Sequence, residues 1–212
     1  MPVAAVDSPL FQIYVHELWA RSDSVARTCA SIFEQCPVPP NDGYIKVDPA
    51  IHSQISSVLT ESANIKKLLT IPVRTGNKET KIAFEFRVQR AKLLNEVLAN
   101  PAISEISVVE ARNSVEHFDQ YLDRANLALE EGKVQASGVA LYNMILSSWK
   151  IFDQKAFPLK VYVADERKYF NLEWVADVNA IYEEASDLLN RVKSINDFPV
   201  KDGPGGLMVP IK

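Results

Sequence analysis

The sequence predicts a mainly α-helical fold, a bundle of four to five helices with a small antiparallel β-hairpin or sheet appended in the C-terminal half. Three observations favour this class. Apolar residues recur at steps of three and four through most of the chain. Proline and glycine clusters divide these stretches into segments of helix length. After residue 138, short runs rich in β-branched and aromatic residues indicate strands instead.

Two helices are predicted in the first third of the chain. The first, 9–35, carries an apolar stripe and ends where residues 36–43 bring three prolines and a glycine. The second, 49–69, has isoleucine, valine and leucine at helical spacing and is closed by the loop 72–77. Near its start lies His52, which we expect to face solvent.

Two further helices complete the predicted bundle. The third, 79–99, is amphipathic and presents Arg87 and Arg90 on its basic side. The fourth, 104–131, is the most regular helix of the sequence, and Gly132 is suited to cap it. Its apolar stripe consists of Val108, Ala111, Val115, Phe118, Leu122, Ala125 and Leu129.

The pattern changes in the C-terminal half. Residues 139–146 are compatible with a strand, or with a short helix, and residues 159–172 with a β-hairpin. A last helix is predicted at 172–194, where apolar residues return to helical spacing.

Three parts of the chain follow from these elements. Residues 1–132 are predicted to form the helical bundle, and residues 133–195 a hairpin and final helix packed on it. Residues 196–212 contain three prolines and three glycines and are predicted to be a flexible tail.

The composition excludes several classes of protein. Charged residues make up 24% and hydrophobic residues 47%, which is typical of a globular protein. The formal net charge of −4 excludes the global positive field of a non-specific nucleic-acid binder, so that any RNA contact must be local. No apolar run approaches the ~20 residues of a membrane helix, and residues 1–10 lack the pattern of a signal peptide. We therefore expect a cytoplasmic protein without membrane contact.

Cysteines and histidines are too few and too scattered to indicate a metal site. Cys29 and Cys36 lie seven residues apart on the first predicted helix, where the helical rise separates them by ~10 Å. A disulfide needs Cα atoms within ~7 Å, so both thiols are predicted to be reduced. With three histidines spread over the chain, a zinc site is not expected.

The chemically distinctive feature is a group of polar residues on the fourth predicted helix. At 100° per residue, Asn113, Glu116 and His117 lie away from the apolar stripe, and Arg112 lies near its edge. The group offers a cation, an amide, a carboxylate and an imidazole on adjacent turns. A histidine side chain ordinarily titrates near neutral pH and can transfer a proton, and an arginine side chain binds phosphate through two parallel hydrogen bonds. The pattern indicates phosphate chemistry.

The string Arg112-Asn113-Ser114-Val115-Glu116-His117 resembles the signature of HEPN domains, an arginine followed by a polar residue and then by a histidine. HEPN domains are small helical bundles that carry this motif on a late helix, which corresponds to the fourth predicted helix here. The position two residues after the histidine, a tyrosine in one toxin branch of the family, is Asp119 in this chain. Regulation by modification of such a tyrosine is therefore not expected.

The resemblance implies a metal-independent endoribonuclease without a cofactor, acting as a homodimer in a toxin or antiphage-defence role. His117 would be the general acid or base, Arg112 would hold the scissile phosphate and Asn113 would orient one of them. Glu116, Arg87 and Arg90 would contact the RNA substrate. A cognate antitoxin or defence protein is a further expected partner.

Two other interpretations stay open at the level of the sequence. The chain is a non-catalytic protein- or nucleotide-binding module that uses the same helix, or it is a structural helical protein in which the motif is a coincidence. In the second case His117 is a surface histidine in a charge network with Glu116 and Arg112.

Overall fold

The computed structural model describes residues 10–41, 43–73, 79–108, 110–133, 138–152, 155–195 and 205–210. Helices account for most of these residues. They are α1 (Phe11–Gln35), α2 (Pro49–Leu69), α3 (Lys81–Val97), α4 (Glu110–Glu116), α5 (Phe118–Glu130) and α6 (Val178–Ser194). The strands are β1 (Ile45–Lys46), β2 (Val139–Leu146), β3 (Ala156–Val163), β4 (Lys168–Asn171) and β5 (Trp174–Asp177). A short 3₁₀ helix, Trp149–Ile151, lies between β2 and β3.

Helix α1 is the centre of the helical part, because it packs along both α2 and α6. Its apolar side, including Trp19 and Ile32, is fully buried. The same buried cluster contains Tyr162 of β3 and Tyr169 of β4. Burying side chains of this size contributes about 1.5–3 kcal/mol each, so one continuous core stabilises the helices and the sheet together.

Local capping explains where α2, α3 and α6 begin. Asp48 accepts a hydrogen bond from the N–H of Ala50 at the start of α2, and Pro49 occupies the first helical position. The predicted second helix, 49–69, is therefore confirmed residue for residue. Thr80 caps α3 and Asp177 caps α6 in the same way.

The strands form one five-stranded sheet in the order β1-β2-β3-β4-β5. The β2 and β3 strands run parallel, and the other neighbouring pairs are antiparallel. The prediction of mainly α structure with a small sheet is confirmed, but the prediction that the sheet is purely antiparallel is wrong. An alternating apolar pattern identifies a strand but does not fix its direction relative to its neighbour. Here β2 and β3 are joined by a connection that contains the 3₁₀ helix, not by a hairpin turn, and they run parallel. The last helix also begins later than predicted, because residues 174–177 belong to β5.

The predicted continuous fourth helix, 104–131, is wrong. Residues 104–107 form a turn, whose Glu105 and Ile106 N–H groups donate to the Glu184 carboxylate of α6 at 2.9 Å each. Helix α4 follows and ends at Glu116, and His117 has non-helical angles of φ −112° and ψ 38°. Because backbone hydrogen bonds continue on either side of His117, the break is a kink between α4 and α5.

Further sequence-based predictions concern the cysteines, membrane-spanning helices and the C-terminal tail. Both cysteines are buried and unpaired, as their spacing predicts. None of the described helices is long and apolar enough to cross a membrane. Of the predicted tail, residues 205–210 have no regular secondary structure, and the rest of 196–212 lies outside the described residues, as do 1–9 and 74–78.

The expectation that His52 faces solvent is wrong. Its side chain is buried, and its ring lies 6.1 Å from the ring of Tyr169 in β4. Neither ring nitrogen makes a hydrogen bond of ordinary geometry to a described residue. Burial lowers the pKa of His52 to about 4, and the nearby backbone of Asn143 only partly offsets this. The sheet that covers the start of α2 is remote in sequence, so the helical pattern alone did not reveal the burial.

The burial of His52 predicts a loss of stability in acid. Histidine in an unfolded chain titrates near pH 6.5, so between about pH 6.5 and 4 the unfolded state binds more protons than the folded state. The free energy of unfolding should therefore fall by up to roughly 3 kcal/mol as the pH is lowered through this window. Urea denaturation at several pH values measures it. His52→Leu should remove this component, and His117→Gln, at an exposed position, should retain it. An unchanged pH dependence in His52→Leu would contradict the assignment.

Candidate functional site

Arg112 and Glu116 form an ion pair on adjacent turns of α4. The distance from Arg112 Nη2 to Glu116 Oε1 is 2.6 Å, and the two side chains are 25% and 35% exposed. The Nε atom of Arg112 is buried and has no hydrogen-bond partner. The guanidinium is thus held in place by a carboxylate while one of its N–H donors is unused, a costly arrangement for a buried polar group.

His117 lies at the kink between α4 and α5 and is exposed. Its backbone N–H donates to the carbonyl oxygen of Asn113 at 2.9 Å, and its backbone carbonyl oxygen accepts from the backbone N–H of Tyr121. These two bonds fix the backbone on both sides. The imidazole itself makes no hydrogen bond to another residue that the structure describes, so both ring nitrogens are open to a substrate.

Asn113 is half-buried, and its described hydrogen bond to His117 uses the backbone carbonyl rather than the side-chain amide. On the opposite side of α4, Ala111 and Ser114 are buried. Thus the structure brings Arg112 and Glu116 together through their side chains, and Asn113 and His117 through the backbone.

The two arginines of α3 are engaged elsewhere. Arg87 binds the Glu79 carboxylate in a fork, with Nε and Nη2 at 2.6 and 2.7 Å from its two oxygens. Arg90 donates to the carbonyl oxygen of Lys67 at 2.8 Å and lies over the ring of Tyr14, 5.2 Å from its centroid. The main neighbour of α3 is α2. Among the described residues, neither arginine forms a hydrogen bond or an ion pair with the α4–α5 kink.

Sequence reasoning missed an aromatic cluster next to His117. Phe118, the first residue of α5, stacks on Tyr142 of β2 with ring centroids 6.1 Å apart and an interplanar angle of 28°. The ammonium of Lys160, in β3, lies 4.2 Å from the centroid of the Phe118 ring. We call these three side chains, Phe118, Tyr142 and Lys160, the aromatic platform. The Lys160 ammonium thus contacts the ring of the residue that directly follows His117, the candidate acid or base.

A matched distortion of two strands accompanies the platform. Asn143 in β2 and Lys160 in β3 both have left-handed backbones, with φ of 57° and 58°. They occupy equivalent places in the parallel pair, because Tyr142 is in register with Leu159, and Met144 with Val161. Asparagine tolerates this conformation well, whereas a residue such as lysine adopts it at a cost of about 1–3 kcal/mol.

The buried side chain of Asn171 ties this distortion to α4. Its Oδ1 accepts from the N–H of Lys160 at 3.1 Å, and its Nδ2 donates to the carbonyl and hydroxyl oxygens of Ser114 at 3.0 Å. Ser114 in turn donates to the carbonyl oxygen of Ala111. Ser114 belongs to the string from Arg112 to His117, yet its role depends on a strand residue that no local pattern identifies.

The electrostatic environment of Lys160 differs from that of Arg112. Burial lowers the pKa of the Lys160 ammonium. Within the described part of the chain it forms no ion pair, so its charge faces the Phe118 ring without a carboxylate to balance it. At the site, the charge of Arg112 is therefore balanced by Glu116, whereas the charge of Lys160 has no carboxylate partner among the described residues.

A cavity of about 370 Å³ lies between α5 and the sheet. Its wall includes Arg124, whose guanidinium lies 5.3 Å from the centroid of the Tyr121 ring. No residue of α5 is fully buried, so this helix covers the cavity loosely. The cavity is lined by Tyr121, Arg124, Ala125, Ala128, Leu129, Phe157, Leu172, Glu173 and Trp174.

Comparison of the chain with family models, curated proteins and solved structures found no match. Among the residues that the structure describes, there is also no cluster of three or more histidine, cysteine or carboxylate side chains that could hold a metal ion. The groups that the described site offers to a ligand include the His117 imidazole, the two cations and the aromatic rings.

The substitution Asn171→Ala should destabilise the protein by about 2 kcal/mol, since it leaves the N–H of Lys160 and the oxygens of Ser114 without their partner. Urea denaturation measures the change. Asn126→Ala, at an exposed position on α5, is the matched control and should leave the midpoint unchanged. Equal stability of the Asn171→Ala variant and the wild type would show that the amide does not hold α4 to β3.

Proposed function

We propose that this protein is a metal-independent endoribonuclease of the HEPN type, with His117 as general acid or base. The observation that carries the proposal is the exposed imidazole of His117 directly after the ion-paired Arg112 and Glu116 on α4. A proton carrier and a phosphate-binding cation are the two groups that cleavage of an RNA strand without a metal ion requires.

In the proposed reaction, the phosphoryl group is transferred within the RNA strand, from the 5′-oxygen to the adjacent 2′-oxygen. The neutral imidazole of His117 takes the proton of an RNA 2′-hydroxyl, and that oxygen bonds to the adjacent phosphorus. The bond from phosphorus to the 5′-oxygen breaks, and this oxygen receives a proton. The products are a 2′,3′-cyclic phosphate and a 5′-hydroxyl end. In a homodimer, the protonated imidazole of a second copy supplies the proton to the leaving oxygen.

Arg112 binds the scissile phosphate in this scheme. Its partner Glu116 keeps the guanidinium in position before RNA arrives, and the phosphate then competes with the carboxylate for it. Asn113 contributes by fixing the backbone of His117.

The biological setting follows from the resemblance of the motif. A cytoplasmic homodimer with a toxin or antiphage-defence role, restrained by an antitoxin or working with a defence protein, is the form in which such a ribonuclease operates. The exposed position of His117 at the α4–α5 kink supports a site that a second copy completes.

Cleavage of RNA by the purified protein in the presence of EDTA tests the proposal. His117→Ala should reduce the rate by at least ~10²-fold, because it removes the proton carrier. Gln120→Ala, at an exposed position three residues away, should cleave at the wild-type rate. The products should carry cyclic phosphate ends, and sedimentation should show a dimer for both variants. Undiminished cleavage by His117→Ala would disprove the catalytic role.

A specific observation favours a second candidate function, a nucleotide-binding module without catalysis. The 370 Å³ cavity has the size of a small-ligand site and combines aromatic walls with the guanidinium of Arg124. In this case the protein binds a nucleotide in the cavity and does not cleave RNA.

Titration with nucleoside mono- and triphosphates tests this second candidate. Binding should quench the fluorescence of Trp174, which lines the cavity, and Trp174→Phe should remove the signal. Arg124→Gln should weaken binding about tenfold through loss of the phosphate contact. Arg27→Gln, an exposed arginine of α1, is the control. The absence of saturable quenching in the wild type would argue against a nucleotide site in the cavity.

A further inference from the structure

The Lys160 ammonium carries a positive charge that no neighbouring carboxylate balances among the described residues. The guanidinium of Arg112 is neutralised by Glu116 at 2.6 Å, whereas the ammonium of Lys160 has no carboxylate partner among the described residues. The chain as a whole is acidic, so a phosphate is attracted only where a local positive charge is uncompensated. The platform next to His117 is such a place.

We propose that the aromatic platform is a binding site for single-stranded RNA, in which a nucleobase stacks on Tyr142 and Lys160 binds a backbone phosphate. The inference rests on the proposed function for its substrate class, and it assigns roles to residues outside the motif. Tyr142 and Lys160 come from two strands, and both contact the Phe118 ring.

Tyr142 is suited to stacking. Its side chain is 57% exposed, although it is a large aromatic residue in a strand, and one part of its ring is already supported by Phe118. An exposed aromatic ring that is held rigid from behind offers a face to a base at little cost in conformational entropy. Stacking of this kind is the main sequence-independent contact of proteins with single strands.

Lys160 is suited to a phosphate contact. The ring of Phe118 holds the ammonium, and burial disfavours the charge that remains without an anion nearby. A phosphate oxygen would supply the missing partner through a charge-assisted hydrogen bond. Since Phe118 directly follows His117 in the chain, the proposal is that the same RNA strand continues past the imidazole.

The backbone of the two strands supports a functional assignment. Asn143 and Lys160 are held in left-handed conformations side by side, and the buried Asn171 fixes the second of them. Non-glycine residues in such conformations persist only where their surroundings impose them, and they concentrate at binding and catalytic sites. Here the distortion lies at the residue that delivers the cation to the platform.

The experiment uses the full-length His117→Ala protein, which keeps the RNA intact, and a fluorescein-labelled decamer of uridine. Fluorescence anisotropy at several salt concentrations gives the affinity and its salt dependence. Lys160→Gln should weaken binding about tenfold and reduce the slope of log affinity against log salt by ~0.7, the value for one phosphate contact in a single strand. Lys160→Arg should retain both.

Tyr142 is tested in the same assay. Tyr142→Ala should weaken binding roughly five- to a hundredfold, the equivalent of one base stacked on an aromatic ring, and Tyr142→Phe should bind as before. Lys193→Gln, which removes a positive charge at the end of α6, is the control and should leave the affinity unchanged. The paired conservative variants separate loss of contact from loss of fold, since Lys160→Arg and Tyr142→Phe keep charge and ring.

The proposal would be overturned by no binding of the decamer, or by equal binding by Lys160→Gln, Tyr142→Ala and their parent. A preference for duplex over single-stranded RNA would also contradict stacking on Tyr142. These failures differ from failure of the proposed function. If binding depends on Lys160 but the wild type cleaves no RNA, the platform stands and the catalytic role of His117 falls. If cleavage requires His117 but neither platform variant changes binding, the reverse holds.

Discussion

The side-chain amide of Asn171 connects the parts of the molecule that meet at the candidate site. It donates to two oxygens of Ser114 in α4 and accepts from the backbone N–H of Lys160 in β3. A buried amide whose partners lie on other elements fixes their relative position, since each partner would otherwise lose a hydrogen bond without gaining water. The backbone of β3 at Lys160 and the position of α4 against the sheet therefore both depend on one residue of β4.

The two cations near His117 lie in opposite electrostatic environments. Arg112 is paired with Glu116 on its own helix, so its charge is compensated by a carboxylate. Lys160 lies over the Phe118 ring without such a partner, so it attracts an anion from the start. In the proposed ribonuclease, this difference separates the capture of a phosphate by Lys160 from its activation by Arg112.

The helices were the more predictable part of the fold, because capping groups and apolar spacing are local. Asp48 and Thr80 mark the starts of α2 and α3, and the buried side of α1 follows the predicted stripe. The burial of His52 and the parallel pairing of β2 with β3 were not predictable, since both depend on which segment lies opposite. The kink at His117 was missed because the apolar stripe continues across it, whereas the Phe118 ring is held by residues of the sheet.

By itself the sequence determined the helical class, the start of α2 and the string from Arg112 to His117, because each depends on residues within a turn or two of one another. Only the tertiary structure decided which charges are compensated and which side chains surround the imidazole. Asn171 and Ser114 are 57 residues apart in the sequence and are joined by a hydrogen bond of 3.0 Å. A contact of that separation leaves no periodic trace in the chain, since it is selected by the shape of the whole core rather than by neighbouring residues.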